Sequence, residues 1–249
     1  MSLVVIDIKE LSVSYEQERI LSNIFLTLES GHIYGVIGPN GAGKSTLFKA
    51  ILGLIPYDIG SIRIMGESID KKRKEVVYVP QKNDIDLSFP ATVLDVVLMG
   101  RYPHKKVLQR LNSSDKTLAL KALEEMDIVD LKDRQIGELS GGQQQRTFIA
   151  RALCQTPELF LLDEPFVGVD ITTEKKIVEI LKAMAVNGKT ILVVHHDLST
   201  VEDYFDKVIM INQRVVAVGD TLTTFTDENI VRTFQSQAPL LHKISRLGI

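Results

Sequence analysis

The sequence predicts an α/β fold: a mostly parallel sheet, an antiparallel β portion at the N-terminus, and a helical insertion in the middle. Three observations carry this. Residues 33–52 read as a short apolar strand, a glycine-rich loop and a helix, the opening of a parallel α/β unit. Ahead of it, three strand-like runs follow one another within thirty residues with no helix between them, which points to antiparallel pairing. Between residues 92 and 153 the periodicity is mostly helical, and beyond it strands and helices alternate again.

In chain order, residues 3–8, 11–15 and 24–28 are rich in β-branched and aromatic side chains separated by polar turns, and each is a strand. Residues 33–37 form the next strand, and 44–52 a helix that stops near Gly53. Residues 61–65 and 76–79 are further strands. The helical stretches follow as TVLDVVLMGRY, SSDKTLALKALEEMDIVDL and GGQQQRTFIARALC, with Ser113 or Ser114 as N-cap of the second. Residues 159–162 and 190–194 are short apolar strands, with a charged amphipathic helix at 173–185 that ends at Asn187-Gly188. Residues 207–211 and 214–218 read as a hairpin around Asn212-Gln213, and from Ser236 the pattern is weak. The expected organisation is one domain over 1–249, with a core at 1–88 and 155–236, an insertion at about 89–154 and a tail at 237–249.

Hydrophobic residues at 45% and charged residues at 24% fit a soluble globular chain with a sizeable core. A formal charge of −3 gives no sign of the basic face that a nucleic-acid partner would select, so none is expected. The single cysteine, Cys154, can form no internal disulfide and no metal site alone, which suits a reducing compartment. Its apolar helical setting, IARALC, predicts a buried core thiol. The opening MSLVVIDIKE lacks the basic and apolar regions of a signal peptide, and no apolar stretch approaches the ~20 residues that cross a bilayer.

The run GPNGAGKST fits G-x-x-x-x-G-K-[ST]: Gly38, Pro39, Asn40, Gly41, Ala42, Gly43, Lys44, Ser45 and then Thr46. Glycines let consecutive backbone N–H groups turn inward around phosphate oxygens, and the helix that starts near Lys44 adds its positive end. Lys44 is a point charge for the β- and γ-phosphates, and the Ser45 hydroxyl can ligate Mg²⁺. LFLLDEP supplies two acids at the end of a wholly apolar strand, where α/β folds bind ligands. Asp163 suits the Mg²⁺ shell, directly or through water, and Glu164 is placed to orient and polarise a water in line with the γ-phosphate. A second stretch, ELSGGQQQRTFIARAL, also looks like an anion-binding helix start.

The order GPNGAGKST, Gln81 in YVPQKN, LSGGQ at 139–143, LLDEP, GVD ending at Asp170, and HHDL containing His196 resembles the nucleotide-binding subunit of an ATP-binding-cassette (ABC) transporter. The resemblance spans nearly the whole chain. It implies the ABC ATPase fold: a P-loop ATPase core with a mostly parallel sheet, an N-terminal antiparallel β-subdomain and an inserted α-helical subdomain. It implies ATP and Mg²⁺, with ATP sandwiched in a head-to-tail homodimer between the P-loop of one copy and the LSGGQ of the other. On the opposite copy's nucleotide, Ser140 would donate its hydroxyl, Gly141 and Gly142 would allow close approach beside Gln143, and Asp170 would shape the interface. Tyr15 would stack on adenine. Gln81 would reach Mg²⁺ and the attacking water. His196 would contact the γ-phosphate and help fix Glu164, leaving His195 a structural role, and the two histidines form no metal site. The pattern departs at Val169, where many members carry Leu before the aspartate.

The resemblance also implies a separate integral membrane permease, an extracytoplasmic solute-binding protein reached through it, and a peripheral place on the cytoplasmic face of the membrane. The permease contact would fall near residues 81–97, with Phe89, Val93, Val97 and Met99 offering apolar groups unless they are the insertion's own core. FPATVLDVVLMGRYPH, PFVGVDITTEKKIVEIL and VVHHDLSTVEDYFDKVIMIN are most similar to the branch that takes up manganese, zinc or iron, which implies import of such a divalent metal or of a metal chelate. A soluble ABC ATPase of a cofactor-assembly system is the alternative.

Overall fold

Buried side chains on the first strand include Ile6, Ile8, Leu11 and Val13. A strict period of two would put the last pair on the opposite face from the first. One extra residue keeps them together. Glu10 adopts φ 55°, and the pairing passes from Ile8↔Leu26 to Leu11↔Ile24, three residues against two. The two strands expected at 3–8 and 11–15 are therefore one, β1 (Val4–Tyr15), with a bulge at the polar break. β2 (Glu18–Glu29) also starts earlier than the expected residue 24, because its polar first turn is held by pairing, as in Val13↔Leu21 and Tyr15↔Glu18. This computed structural model describes residues 3–16, 18–81, 90–106 and 108–234. The expected tail, 237–249, lies outside them.

The chain divides into two units, Met1–Lys72 with Leu192–Ile249, and Arg73–Ile191. In the first, β3 (Ile33–Ile37) is buried along its whole length and leads through the glycine-rich loop into α1 (Lys44–Ile51). β4 (Ile59–Ile64) pairs antiparallel with β1, giving a three-stranded sheet in the order β2-β1-β4, and α2 (Ile69–Lys72) follows.

In the second unit, β5 (Val76–Val79) runs parallel to β6 (Leu159–Asp163) in the register Val76↔Leu159 to Val79↔Leu162. Between them the chain forms α3 (Val93–Leu98), a 3₁₀ segment at Met99–His104, α4 (Ser113–Glu125) and α5 (Gly141–Cys154). Both α3 and α4 pack against α5. The cap of α4 is Asn112, neither Ser113 nor Ser114. Asn112 Oδ1 accepts from the Asp115 amide at 3.1 Å, and Asp115 Oδ2 accepts from the Asn112 amide at 2.8 Å. A capping box needs an acid three residues on, which Asn112 has and neither serine has. Val93 and Val97 are fully buried core, Met99 is 37% exposed, and Phe89 lies outside the described residues. Cys154 is buried as expected, and desolvation pushes its thiol up to about 11. α6 (Ile171–Val186) stops at Asn187, with Gly188 at φ 87°.

β7 (Thr190–His195) follows, with its residues from Leu192 onward in the first unit, and is a neighbour of β3 in the sheet. After α7 (Val201–Tyr204), β8 (Lys207–Asn212) pairs parallel with β3, and β9 (Arg214–Asp220) returns antiparallel to β8 around Gln213 at φ 56°. α8 (Thr221–Thr224) and α9 (Asp227–Phe234) close the described chain.

Candidate functional site

Each unit holds its own set of site residues. In the first unit, the apolar strand β3 ends at Ile37 and the loop from Gly38 carries the chain to α1. Gly43 is the N-cap, at φ 93° and ψ 12° with no side-chain cap. A Cβ there would lie 2.4 Å from Leu21 Cδ2, so the position needs glycine for both its backbone angle and its space. Leu21 pairs with Val13, two residues before Tyr15, so one hairpin end supports the loop and carries the tyrosine, which is 44% exposed. Lys44 is buried, and its Nζ donates to the carbonyls of Gly38 at 2.8 Å and Pro39 at 2.9 Å. Those bonds span the loop from the first residue of the helix and fix a compact positive charge inside it. Ser45, one residue on, is exposed.

Sequence reasoning missed a brace on this loop. The turn between β8 and β9 donates the Gln213 amide to Ala42 O at 3.0 Å and accepts the Ser22 amide at 2.8 Å. It joins three segments far apart in sequence, and no local pattern marks it.

His195 and His196 end β7 in different surroundings. His195 is buried, its Nε2 lies 2.7 Å from Thr200 Oγ1, and its ring packs on Phe205 and Tyr204 at 5.3 and 5.9 Å. His196 is exposed, with its ring 5.9 Å from that of His195. Burial, with the neighbouring His196, pushes the pKa of His195 down from 6.5 to about 4. The folded state thus binds this proton less readily than the unfolded chain. Stability from this group is complete above about pH 6.5 and is lost as pH falls toward 4. One proton changes the unfolding free energy by at most ~1.4 kcal/mol per pH unit. Urea midpoints measured from pH 7 to 4 should fall in the wild type, and less steeply in His195→Gln, which keeps a partner for Thr200 and cannot titrate.

In the second unit, β6 is buried from Leu159 to Asp163. Asp163 accepts a hydrogen bond from the Tyr78 hydroxyl at 3.3 Å. Tyr78 was not among the expected site residues. Its signal is a phenol in the all-apolar β5, in register with Leu161 and so beside the end of β6. Glu164 follows in the left-handed region at φ 49°, a conformation that costs a non-glycine residue on the order of 1–3 kcal/mol. Its carboxylate Oε2 accepts from Gln81 Nε2 at 2.8 Å. Eighty-three residues separate that pair, and β5 and β6 bring it together.

The LSGGQ segment lies in the same unit. Ser140 is exposed and caps α5: its Oγ accepts from the Gln143 amide at 3.4 Å, while Gln143 Oε1 accepts from the Ser140 amide at 3.0 Å. Gly141, Gly142 and Gln143 are half-buried. Asp170, exposed, caps α6 by accepting from Thr173 N at 3.0 Å and Thr173 Oγ1 at 2.8 Å, and those bonds hold its carboxyl below the usual aspartate range. A Cβ on Gly142 would come 3.4 Å from Thr173 Cγ2 and 3.8 Å from Asp170 Oδ2, so the starts of α5 and α6 are neighbours. Among the described residues, no group of three or more His, Cys, Asp and Glu could hold a metal ion, and no helix is long and apolar enough to cross a membrane.

The sequence pattern of the ABC transporter family matches residues 21–167. The manganese transport system ATP-binding protein MntB of Halalkalibacterium halodurans is 48% identical over 239 residues, 96% of this chain and 95% of that protein. The zinc transport system ATP-binding protein TroB of Treponema pallidum is 48% identical over 92% of this chain and 86% of its own length. A chain of an ABC transporter solved in an inward-facing conformation superposes with a TM-score of 0.83 at 29% identity, covering 93% of this chain and 89% of that one. By that match and these relatives, the chain belongs to the ABC transporter family as an ATP-binding subunit that hydrolyses ATP.

Proposed function

We propose that two copies pair head to tail and close on ATP, and that the cycle drives import of a divalent metal, manganese or zinc by the chemistry of the relatives, through a separate membrane permease. The observation that carries the pairing is the state of the LSGGQ segment. Ser140 is exposed, and its cap uses the hydroxyl only as an acceptor, so the O–H proton remains to be donated. Gly142 has room for a Cβ against its own chain, at ordinary contact with Thr173, and its helical position would favour alanine by about 0.5–1 kcal/mol. Close approach by a group from outside the chain explains the glycine.

In this reading, Gly38 to Thr46 hold the phosphates of one copy's ATP, and Tyr15 stacks on the base. Ser140, Gly141, Gly142 and Gln143 of the second copy meet the γ-phosphate, with Asp170 beside them. Ser45, Gln81 and Asp163 would hold Mg²⁺. Their hydroxyl, amide and carboxylate oxygens are the hard donors that suit that ion. When bound, Mg²⁺ neutralises charge on the phosphates. Glu164 takes the proton of the attacking water, Gln81 orients Glu164, and His196 contacts the γ-phosphate, so that ATP and water become ADP and phosphate. Loss of the γ-phosphate removes contacts made only in the closed state, and the pair opens. The permease places the subunit on the cytoplasmic face of the membrane. A solute-binding protein on the far side delivers the metal. Of the expected contact groups within the described residues, Met99 is the exposed one, while Val93 and Val97 are core.

Ser140 variants test the sandwich. Ser140→Ala should leave ADP affinity within about twofold and weaken ATP-driven pairing and turnover roughly tenfold, the scale of one charge-assisted hydrogen bond. Ser140→Asp restores a cap but sets a negative charge against the γ-phosphate, and should pair worse than Ala. A large loss of ADP affinity in either would place LSGGQ on its own copy's nucleotide.

A further inference from the structure

The helix that carries LSGGQ is gripped at its far end by one short stretch. A Cβ on Gly100 would lie 2.2 Å from Arg151 O, so only glycine lets this segment reach the last turn of α5. Arg101 Nη1 donates to Cys154 O at 2.8 Å while its Nε donates to Asp115 Oδ1 at 3.2 Å. His104 Nε2 lies 2.8 Å from Gln155 O, and since a carbonyl only accepts, that nitrogen carries the proton. Lys105 closes the group on Asp115 Oδ2 at 2.5 Å. Asp115 is 2% exposed and holds its charge, with the carboxyl at about 2 chiefly through the Lys105 bond. Gln155 continues the chain of contacts to β5, donating Nε2 to Lys74 O at 3.2 Å and Val76 O at 2.8 Å.

Buried ion pairs of this kind contribute little net stability, because desolvation offsets their attraction, and their better-attested use is to fix geometry. Here the geometry matters at a distance. α5 has fourteen residues and so spans about 21 Å from the clamp to Ser140. A tilt of about 5° at the clamped end would move the LSGGQ end by roughly 2 Å, enough to spoil a phosphate contact. Gln144 and Arg146 also tie α5, but to Ile136 O and to the Met126 and Asp127 carbonyls, which belong to the helical segment itself. The Cys154–Gln155 end is where α5 joins the strand that leads to Gln81.

We propose that Arg101 is a positioning residue for ATP-driven pairing: by bridging Asp115 to the C-terminal carbonyls of α5, it sets the angle at which Ser140, Gly141 and Gly142 meet the second copy's nucleotide. The inference deepens the sandwich reading and rests on it. The test uses the full chain carrying Glu164→Gln, expected to hold ATP unhydrolysed, and reads the ATP concentration at half-maximal dimer by light scattering, with ADP affinity measured alongside. Arg101→Ala should raise that midpoint about tenfold and leave ADP affinity within twofold. Arg101→Lys, which keeps a cation at Asp115 but reaches one partner where Arg reaches two, should raise it about threefold. If Arg101→Ala does not fold, Arg101→Lys decides alone. A parent that stays monomeric removes the sandwich and this inference with it. A parent that dimerises while the folded variants keep its midpoint, or lose ADP affinity as much as pairing, removes this inference only.

Discussion

Glu164→Gln should lower the turnover of ATP by a factor of roughly 10²–10⁴, the range that a positioned general base contributes. It should do so without loosening the site. Glutamine matches glutamate in size, can occupy the same left-handed backbone at φ 49°, and still offers an oxygen to Gln81 Nε2, now 2.8 Å from the carboxylate. What is lost is the negative charge and, with it, the ability to take a proton. ATP affinity should therefore stay within about twofold of wild type while hydrolysis nearly stops, and the pair that ATP assembles should persist on a sizing column. Wild-type turnover in this variant would move the base to another group. A slow variant that remains monomeric in excess ATP would leave the base in place and defeat the head-to-tail pairing. Gln81→Ala offers an intermediate result, because Glu164 would keep its chemistry and lose its orientation.

The parts of this site that are legible in the sequence are those encoded in consecutive residues. GPNGAGKST specifies its loop because glycine angles, the lysine and the helix start must all be local. LFLLDEP specifies its acids because a wholly apolar run reads as a buried strand, and the residues that follow it sit at the carboxyl end of the sheet, where α/β folds bind ligands. What is not legible is what strand pairing brings together. The Gln81–Glu164 bond depends on the parallel register of β5 and β6, the Tyr78–Asp163 bond on the same register, and the Gln213 brace on a hairpin more than 160 residues from the loop it supports. The split of β1 into two expected strands has one cause. Propensity reads Lys9-Glu10 as an end, whereas a bulge preserves the pairing and the inward face of Leu11. The missed cap at Asn112 is of another kind, since Asp115 three residues on was there to be read.

Replacing Lys44 separates two jobs that this side chain holds at once. Its bonds to Gly38 O and Pro39 O make it part of the loop's own structure, and its charge is the proposed partner of the β- and γ-phosphates. Lys44→Met keeps the length and apolar stem and removes both. Losing a buried donor leaves carbonyls unsatisfied, at a cost of about 1–3 kcal/mol, so the melting temperature of the nucleotide-free chain should fall. Losing charge-assisted bonds to phosphate, worth about 1.5–3 kcal/mol, should weaken ATP binding by roughly ten- to a hundredfold. The ratio between nucleotides tells the jobs apart. A lysine that touches the γ-phosphate costs ATP more than ADP when it is removed, so the preference for ATP over ADP should shrink. A lysine that only braces the loop weakens both nucleotides alike, and an unchanged ratio in Lys44→Met would reduce it to that role.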